Sequence, residues 1–594
     1  MMGFCSHFLL LAMATVSTFT IGVDAQRPME NLGRGVVAIR SADDAAFISW
    51  RVLGLDPDDL GFNLYRVTGS GDPEVLNADV LTGGSNFVDS TADLTQDNTY
   101  YVTTVVDGTE SEASESWTLA ADTEVGPLFR VPIQAGGAIR YIWVGDLDGD
   151  GEYDFVVDRQ EARQRIEAYR RDGTLLWEVN MGPNSENQDN IESGSSAIDL
   201  GHADGVTVYD FDGDGYAEVA VRIANGVTFG DGEVFEYSDD DHQFIAILKG
   251  STGALLATGE VPDDYIEDGP MGVRLGVGYL DGVRPHVVAY MKNRKDTGEF
   301  NLIEAAWTFD GSSVDLAWAW MRDDQDAPDG HNTRIIDVDG DGIDEVAEIG
   351  FMLNGDGTLR YSLGPAGVGH GDRWHIAKMD PSRDGLQGYG VQQDNPSLLY
   401  EYYYDAMDGT ILWEHYGEEV GDNGRGMVGD IDPNSEGMEA WSFLGLYNAP
   451  ANEQIGDADV YPWPQLGVWW DGDELLELIN DGNIGKWDYD AGGLQRLVTT
   501  YHFGATTADD DPMFQGDILG DWREEVVFTN SEYSELIIFT TDQPSDIRLY
   551  TLMHNPAYRN AVCLKGYVQS SHVDYFLGSG MENPPAPNIS YVGA

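Results

Sequence analysis

The phrase Asp337-Val-Asp-Gly-Asp-Gly-Ile-Asp-Glu345 carries carboxylates at its first, third, fifth and ninth positions, with glycines between them. Asp337, Asp339, Asp341 and Glu345 have counterparts in Asp146, Asp148, Asp150 and Asp154, and again in Asp210, Asp212, Asp214 and Glu218. Looser copies place Asp430, Asp432 and Asn434 in one turn and Asp517 in another. Alternate carboxylates in a tight turn repel one another unless a cation sits between them. Calcium takes about six to eight oxygens, and glycine lets the backbone wrap it. A single copy reads equally well as a solvated acidic turn; recurrence favours calcium loops. Strand-like runs such as Val219-Ala-Val221 flank the loops where an EF-hand would have helices. A second group stands out by scarcity. His331-Asn332, Gly369-His-Gly-Asp-Arg-Trp-His375, Asn423-Gly-Arg-Gly-Met427, His554-Asn-Pro556 and Tyr567-Val-Gln-Ser-Ser-His572 cluster ionisable side chains beside loops of different units. One histidine alone is most often structural. Several converging on one channel make a candidate site.

The elements that must carry these residues are strands. Each acidic loop leads into apolar strands and then a hairpin signal, such as Arg171-Asp-Gly-Thr-Leu-Leu-Trp177 or Met407-Asp-Gly-Thr-Ile-Leu-Trp413. A repeated β unit with one tight turn each predicts a β-propeller rather than a solenoid. Units open near Asp146, Asp210, Asp281, Asp337, Asp380, Asp430 and Asp517, and one without its own acidic loop lies around Lys486-Trp-Asp-Tyr-Asp490. That counts eight blades, with seven the alternative. Residues 26–121 alternate as short strands split by Gly, Asp and Pro, which predicts a small sandwich loosely like fibronectin type III. The expected chain is all-β: this sandwich as a spacer, then an eight-bladed propeller with calcium loops over 122–594.

Lys and Arg total 32 against 104 Asp and Glu, a net charge of −72. This excludes a phosphate-tracking nucleic-acid binder. It also argues that many carboxylates are metal-bound, since so much bare charge opposes compaction. Residues 1–25 read as a secretory signal peptide, with a short apolar run from Phe8 and a small residue, Ala25, before Gln26. No later stretch is apolar enough to span a bilayer. A secreted, extracellular monomer is expected. Beyond Cys5 in that leader, Cys563 stands alone among Ala561, Val562 and Leu564 and reads as a buried thiol.

The chain resembles the rhamnogalacturonan lyases of polysaccharide lyase family 11. The matching phrases are Leu32-Gly-Arg-Gly-Val-Val-Ala38, Gly145-Asp-Leu-Asp-Gly-Asp-Gly-Glu-Tyr153, His331-Asn332 with the Asp337 loop, Gly369-His-Gly-Asp372, Asn423-Gly-Arg-Gly-Met427, Gly520-Asp-Trp-Arg-Glu-Glu-Val526 and Arg548-Leu-Tyr-Thr-Leu-Met-His-Asn-Pro-Ala-Tyr-Arg559. The resemblance implies an eight-bladed propeller, bound calcium and β-elimination on pectic rhamnogalacturonan, an anionic polysaccharide. Several sugar-site phrases depart from the family. Its Ser-Ala-Asn-Asp-Ala-Ser stretch is replaced around Arg140, its Lys-Trp-Asp-Pro by Asp158-Arg-Gln-Glu161, and a lysine it uses falls opposite Asn483, with Lys486 close by. Its Tyr-Asn-Gln-Pro-Pro-His survives as Tyr567 to His572.

Elimination from a uronate needs a base for the C5 proton, a cation for the carboxylate and a proton for the leaving C4 oxygen. Arg425 suits the carboxylate, because a guanidinium binds it bidentately and stays charged. His331, His370 or Tyr567 could be the base, with Arg425 or Lys486 lowering the tyrosine pKa. Alternatively, His331 and His370 ligate a channel calcium, although imidazole is not a preferred calcium ligand. Asn332, Arg373, Arg140, Asn483 and His572 are the expected sugar contacts. Three other readings compete: a lyase on a different rhamnose–uronate polymer, a glycoside hydrolase using paired carboxylates on the same propeller, and an integrin-like propeller that only binds.

Overall fold

The computed structural model describes residues 26–185, 205–240, 242–268, 271–295, 297–421, 424–507, 511–565 and 570–593. The expected signal peptide and Tyr567 lie outside these residues. Among the described residues, eight four-stranded antiparallel sheets follow one another along the chain. Their first strands are Ile142–Gly145, Val206–Tyr209, Gly272–Gly278, Arg334–Ile336, Trp374–Ala377, Met427–Gly429, Leu466–Val468 and Phe514–Gly516. These first strands touch their counterparts in neighbouring sheets and line the centre, so each sheet is a blade. The last blade is completed by Leu128–Pro132, which pairs with Glu535–Phe539 and closes the ring with an early strand.

Sequence accounts for the ring. The innermost strands are buried on both faces and are mostly apolar, with Thr207 and Arg274 as buried polar exceptions. Where blades converge there is no room for a side chain: a Cβ on Gly145 would stand 2.6 Å from Val208, and one on Gly429 2.3 Å from Leu476. The tryptophan of the hairpin signal ties blade to blade. Trp177 donates its indole N–H to Gly250 O, Trp318 to Gly355 O (2.9 Å) and Trp413 to Ala449 O (2.8 Å), each in the following blade.

Strands between Val37 and Leu119 form the expected small sandwich, while Arg27–Met29 pairs with Ile589–Tyr591. A three-stranded sheet faces one built on Gly61–Thr68 and Asn98–Val106 around Trp50, Phe62 and Tyr100. It is bolted to the propeller: Arg51 pairs with Glu152 at 3.1 Å and Gly33 N donates to Gly151 O at 2.7 Å. The one α-helix among the described residues, α1 (Pro556–Cys563), plugs the channel against four inner strands. Asn555 caps it by accepting from Tyr558 N, with proline next in line. Arg559 on this helix grips Glu30 (2.5 Å), and His554 just before it bonds Gly54 N and Glu30 O. His554 therefore belongs to the plug, and burial pushes its imidazole down to about 4. Cys563 is buried in the same plug.

In every blade the loop after the inner strand lies at one end of the channel. The segment entering the inner strand lies at the other. This topology separates the acidic loops from the histidine and arginine phrases.

Candidate active site

The acidic loops form three like-built groups. Asp146, Asp148 and Asp154 bring one carboxylate oxygen each within 4.8 Å of the others, as do Asp210, Asp212 and Glu218, and Asp337, Asp339 and Glu345. The first aspartate nucleates the turn. Asp146 accepts from Gly149 N (2.7 Å) and Gly151 N (2.8 Å), and Asp210 and Asp337 repeat the pattern. Both glycines sit at positive φ, 77° and 85° in the first loop, which a Cβ disfavours. The fifth-position Asp150, Asp214 and Asp341 stand outside the groups and accept the N–H two residues on. Burial, then neighbouring carboxylates, pushes Glu218 up to about 9, Asp154 to about 8 and Glu345 to about 8. Clustered desolvated oxygens of this kind fit a divalent ion, which would restore their charged form.

The looser loops differ. Asp430 accepts from Ser579 N (2.5 Å), Asp432 from Asn434 N (3.0 Å), and neither carboxylate joins a three-member group among the described residues. Asp430 and Asp432 thus take part in the turn through one oxygen each, while Asp430 Oδ1 is buried without a hydrogen-bond partner. Asp517 is fully buried, and its Oδ2 accepts from Thr551 Oγ1 and Leu552 N at 2.7 Å each, which ties this loop to the plug. The blade expected to lack an acidic loop has one: Asp471, Asp473 and Glu477 also converge within 4.8 Å. Lys486 fills it, its ammonium 2.6, 2.7 and 3.0 Å from those three carboxylates. Lys486 therefore lies at the acidic end and is not brought to the mouth.

The other end gathers the scarce residues. His331 and Asn332 enter the fourth blade, His370 and Arg373 the fifth, Arg425 the sixth and Arg140 the first. The His331 and His370 rings meet edge-on at 5.0 Å between centroids. His331 Nε2 lies 3.4 Å and His370 Nε2 3.7 Å from Asp372 Oδ1, and these three groups converge within 4.8 Å. His370 Nδ1 is 3.0 Å from Asp329, which Arg322 pairs at 3.0 Å on its other oxygen. Burial would raise Asp329, but the His370 hydrogen bond and the charges of Lys292 and Arg322 hold it well below the usual carboxylate range. Burial first, then Lys292, His370 and Arg274, push His331 well below 6.5, so its ring is neutral. The Gly330 peptide between Asp329 and His331 is held from both sides. Tyr290 (2.6 Å) and Lys292 (2.8 Å) donate to its carbonyl, and Glu348 accepts its N–H at 2.8 Å.

Arg373, Arg140 and Arg425 all act electrostatically on one carboxylate, that of Asp511. Asp511 is pushed up by burial and drawn back by Arg373, by a Gln465 hydrogen bond (2.5 Å) and by Arg140 and Arg425. Asp372 joins the two halves, because a Cβ on Gly424, next to Arg425, would lie 2.4 Å from its Oδ2. In a chain of net charge −72, this is a local basic patch of the kind that draws in an anion. His572 lies deeper, 2% exposed, facing His375 at 5.4 Å, and with Asn332 it lines a channel cavity of about 70 Å³. Asn483 opens the third strand of the seventh blade, its amide turned back onto Asp481 O at 2.8 Å.

Sequence reading did not select Asp329, Asp372, Asp511 or Lys292 as site residues. Asp372 lay inside a quoted phrase; the other acids carried no signal beyond composition.

Family models match most of the chain. Residues 138–587 match the rhamnogalacturonan lyase family 11 C-terminal domain, and 27–119 the rhamnogalacturonan I lyase β-sheet domain. The rhamnogalacturonan endolyase YesW of Bacillus subtilis is 36% identical, covering 98% of this chain and 96% of its own. The rhamnogalacturonan exolyase YesX of the same organism is 32% identical over 96% and 98%. The crystal structure of YesW superposes with a TM-score of 0.84 at 34% identity, covering 96% of this chain and all of that one. A Bacillus licheniformis rhamnogalacturonan lyase gives 0.83 at 33%, covering 95% and 100%. This chain therefore belongs to rhamnogalacturonan lyase family 11 and is a carbon–oxygen lyase acting on polysaccharide.

Proposed function

We propose that this chain is a secreted monomer that cleaves rhamnogalacturonan by β-elimination at galacturonate, at the channel mouth opposite the acidic loops. The observation that carries the reading is the Asp329–His370 pair set beside Asp372, against which Gly424, the neighbour of Arg425, packs. The uronate carboxylate displaces water at the arginines, with Arg425 as its main partner. Neutralising that carboxylate acidifies C5–H, because the carbanion delocalises into it as an enolate. Asp329 holds His370 Nδ1–H, which leaves Nε2 as the basic nitrogen. His370 takes the C5 proton, the C4–O bond breaks, and the leaving oxygen collects a proton from the imidazolium. Asp329 and Asp372 flank that imidazolium and stabilise it.

Calcium at the three acidic loops would be held by Asp146, Asp148 and Asp154 and their counterparts, and would supply turn rigidity. The convergence of His331, His370 and Asp372 favours a second reading, in which that trio holds a divalent ion supplying Lewis-acid polarisation of the uronate.

The test is incubation with rhamnogalacturonan, following the ultraviolet absorbance of the conjugated unsaturated uronate. Absorbance growth supports elimination, and product length by chromatography separates endo from exo cleavage. Reducing ends without absorbance would mean hydrolysis. Metal titration of the His370→Ala variant separates the two readings of the trio: restored turnover favours the metal centre, and none favours the base.

A further inference from the structure

Tyr501, Tyr416 and Trp463 are among the aromatic side chains open to water; exposure alone is ordinary, and Trp463 is set apart by its place. Trp463 is 50% exposed, in the segment Tyr461-Pro-Trp-Pro464 that leads into the seventh blade at the mouth end. Both flanking prolines are buried, and their fixed φ presents the indole in a rigid turn. Phe443 backs it, ring centroids 5.1 Å apart at 52°, and Tyr461 backs Phe443 at 6.5 Å. The Arg425 guanidinium lies 5.8 Å from the centre of the indole ring. Two residues on, Gln465 donates to Asp511, so this short segment runs directly from the indole into the arginine cradle.

An indole offers a broad apolar face that needs no hydrogen bond. A pyranose offers a complementary face of C–H groups. Beside a uronate held by Arg425, the next sugar of a rhamnogalacturonan chain is a rhamnose. It carries no charge, and its methyl group adds apolar surface. A second uronate would bring a hydrated carboxylate to the same apolar face.

We propose that Trp463 is the stacking platform of a neutral-sugar subsite. It takes the apolar face of the 6-deoxyhexose next to the uronate at Arg425. The proposal rests on the lyase reading for its substrate. The subsite selects alternating rhamnose–uronate chains over all-uronate ones. It does so with little entropic cost, because the prolines and Phe443 hold the ring beforehand.

The experiment compares wild type, Trp463→Ala and Trp463→Phe on rhamnogalacturonan and on oligogalacturonate, with KM and kcat from unsaturated product. In parallel, calorimetry measures rhamnogalacturonan oligosaccharide binding in a His370→Ala background, which spares the ligand. Trp463→Ala is expected to raise KM and Kd for rhamnogalacturonan roughly tenfold with kcat unchanged. Trp463→Phe should recover most of that, and oligogalacturonate values should not move. Unchanged Kd in Trp463→Ala, or equal loss in Trp463→Phe, would overturn the platform. If wild type yields no unsaturated product, the lyase reading fails, while the Kd comparison still decides the subsite.

Discussion

Arg425 is the residue on which the chemistry turns. Its guanidinium lies 5.8 Å from the Trp463 ring centre and acts electrostatically on the Asp511 carboxylate. Arg425→Ala should lower turnover by the value of one fixed charge-stabilising donor, about 3–4 kcal/mol. Its melting temperature should stay near that of wild type, as expected for a substitution outside the core. A large stability loss would make Arg425 structural instead. Asp329→Asn keeps the shape of the dyad but loses the charge beside His370. It should lower kcat by about a hundredfold and leave oligosaccharide Kd unchanged; equal loss in both would mean Asp329 acts in binding. How far these residues were legible follows from their abundance. With 11 histidines and 32 Lys plus Arg in the chain, His331, His370, Arg373 and Arg425 stood out by rarity. Asp329 and Asp511 were hidden among 104 acids, and only the fold sets them against His370 and the arginines.

At the scale of the element, the acidic loops set the pH behaviour. Calcium-free Glu218 and Asp154, pushed up to about 9 and about 8 by burial and neighbouring carboxylates, return on unfolding to ordinary values near 4.5 and 3.8. Between those limits the folded chain binds more protons than the unfolded one. The calcium-free protein should therefore lose stability as pH rises from about 4.5 to about 9, and keep it below that window. Added calcium should abolish the decline and raise the melting temperature. A calcium-free melting temperature that rises with pH, or ignores calcium, would contradict the metal assignment. The seventh blade makes a different prediction, since Lys486 already neutralises Asp471, Asp473 and Glu477. Lys486→Ala should cost about 1–3 kcal/mol, recovered on adding calcium as one extra bound ion; no recovery would mean the loop cannot hold a metal. This loop escaped the sequence search because it spaces its acids as Asp471-Gly-Asp473 and then Glu477, two residues shorter than the repeated phrase. The perfect copies were legible because two positive-φ glycines can hardly be replaced.

For the whole molecule, the closed ring does the sorting. Inner strands that all run the same way send every acidic loop to one end and every entering segment to the other. The sandwich and α1 then cover the acidic end, through Arg51–Glu152 and Arg559–Glu30. The repeat made the ring readable from sequence. The plug was not, because one short capped helix gives no periodic signal, and His554 looked like a site residue until its bonds to Gly54 and Glu30 placed it inside. The most direct measurement is a crystal structure of the His370→Ala variant soaked with a rhamnogalacturonan oligosaccharide. The account expects a galacturonate carboxylate on Arg425, with C5 of that sugar facing the position vacated by the imidazole. An oligosaccharide bound at the acidic-loop end, or on the sandwich, would contradict it.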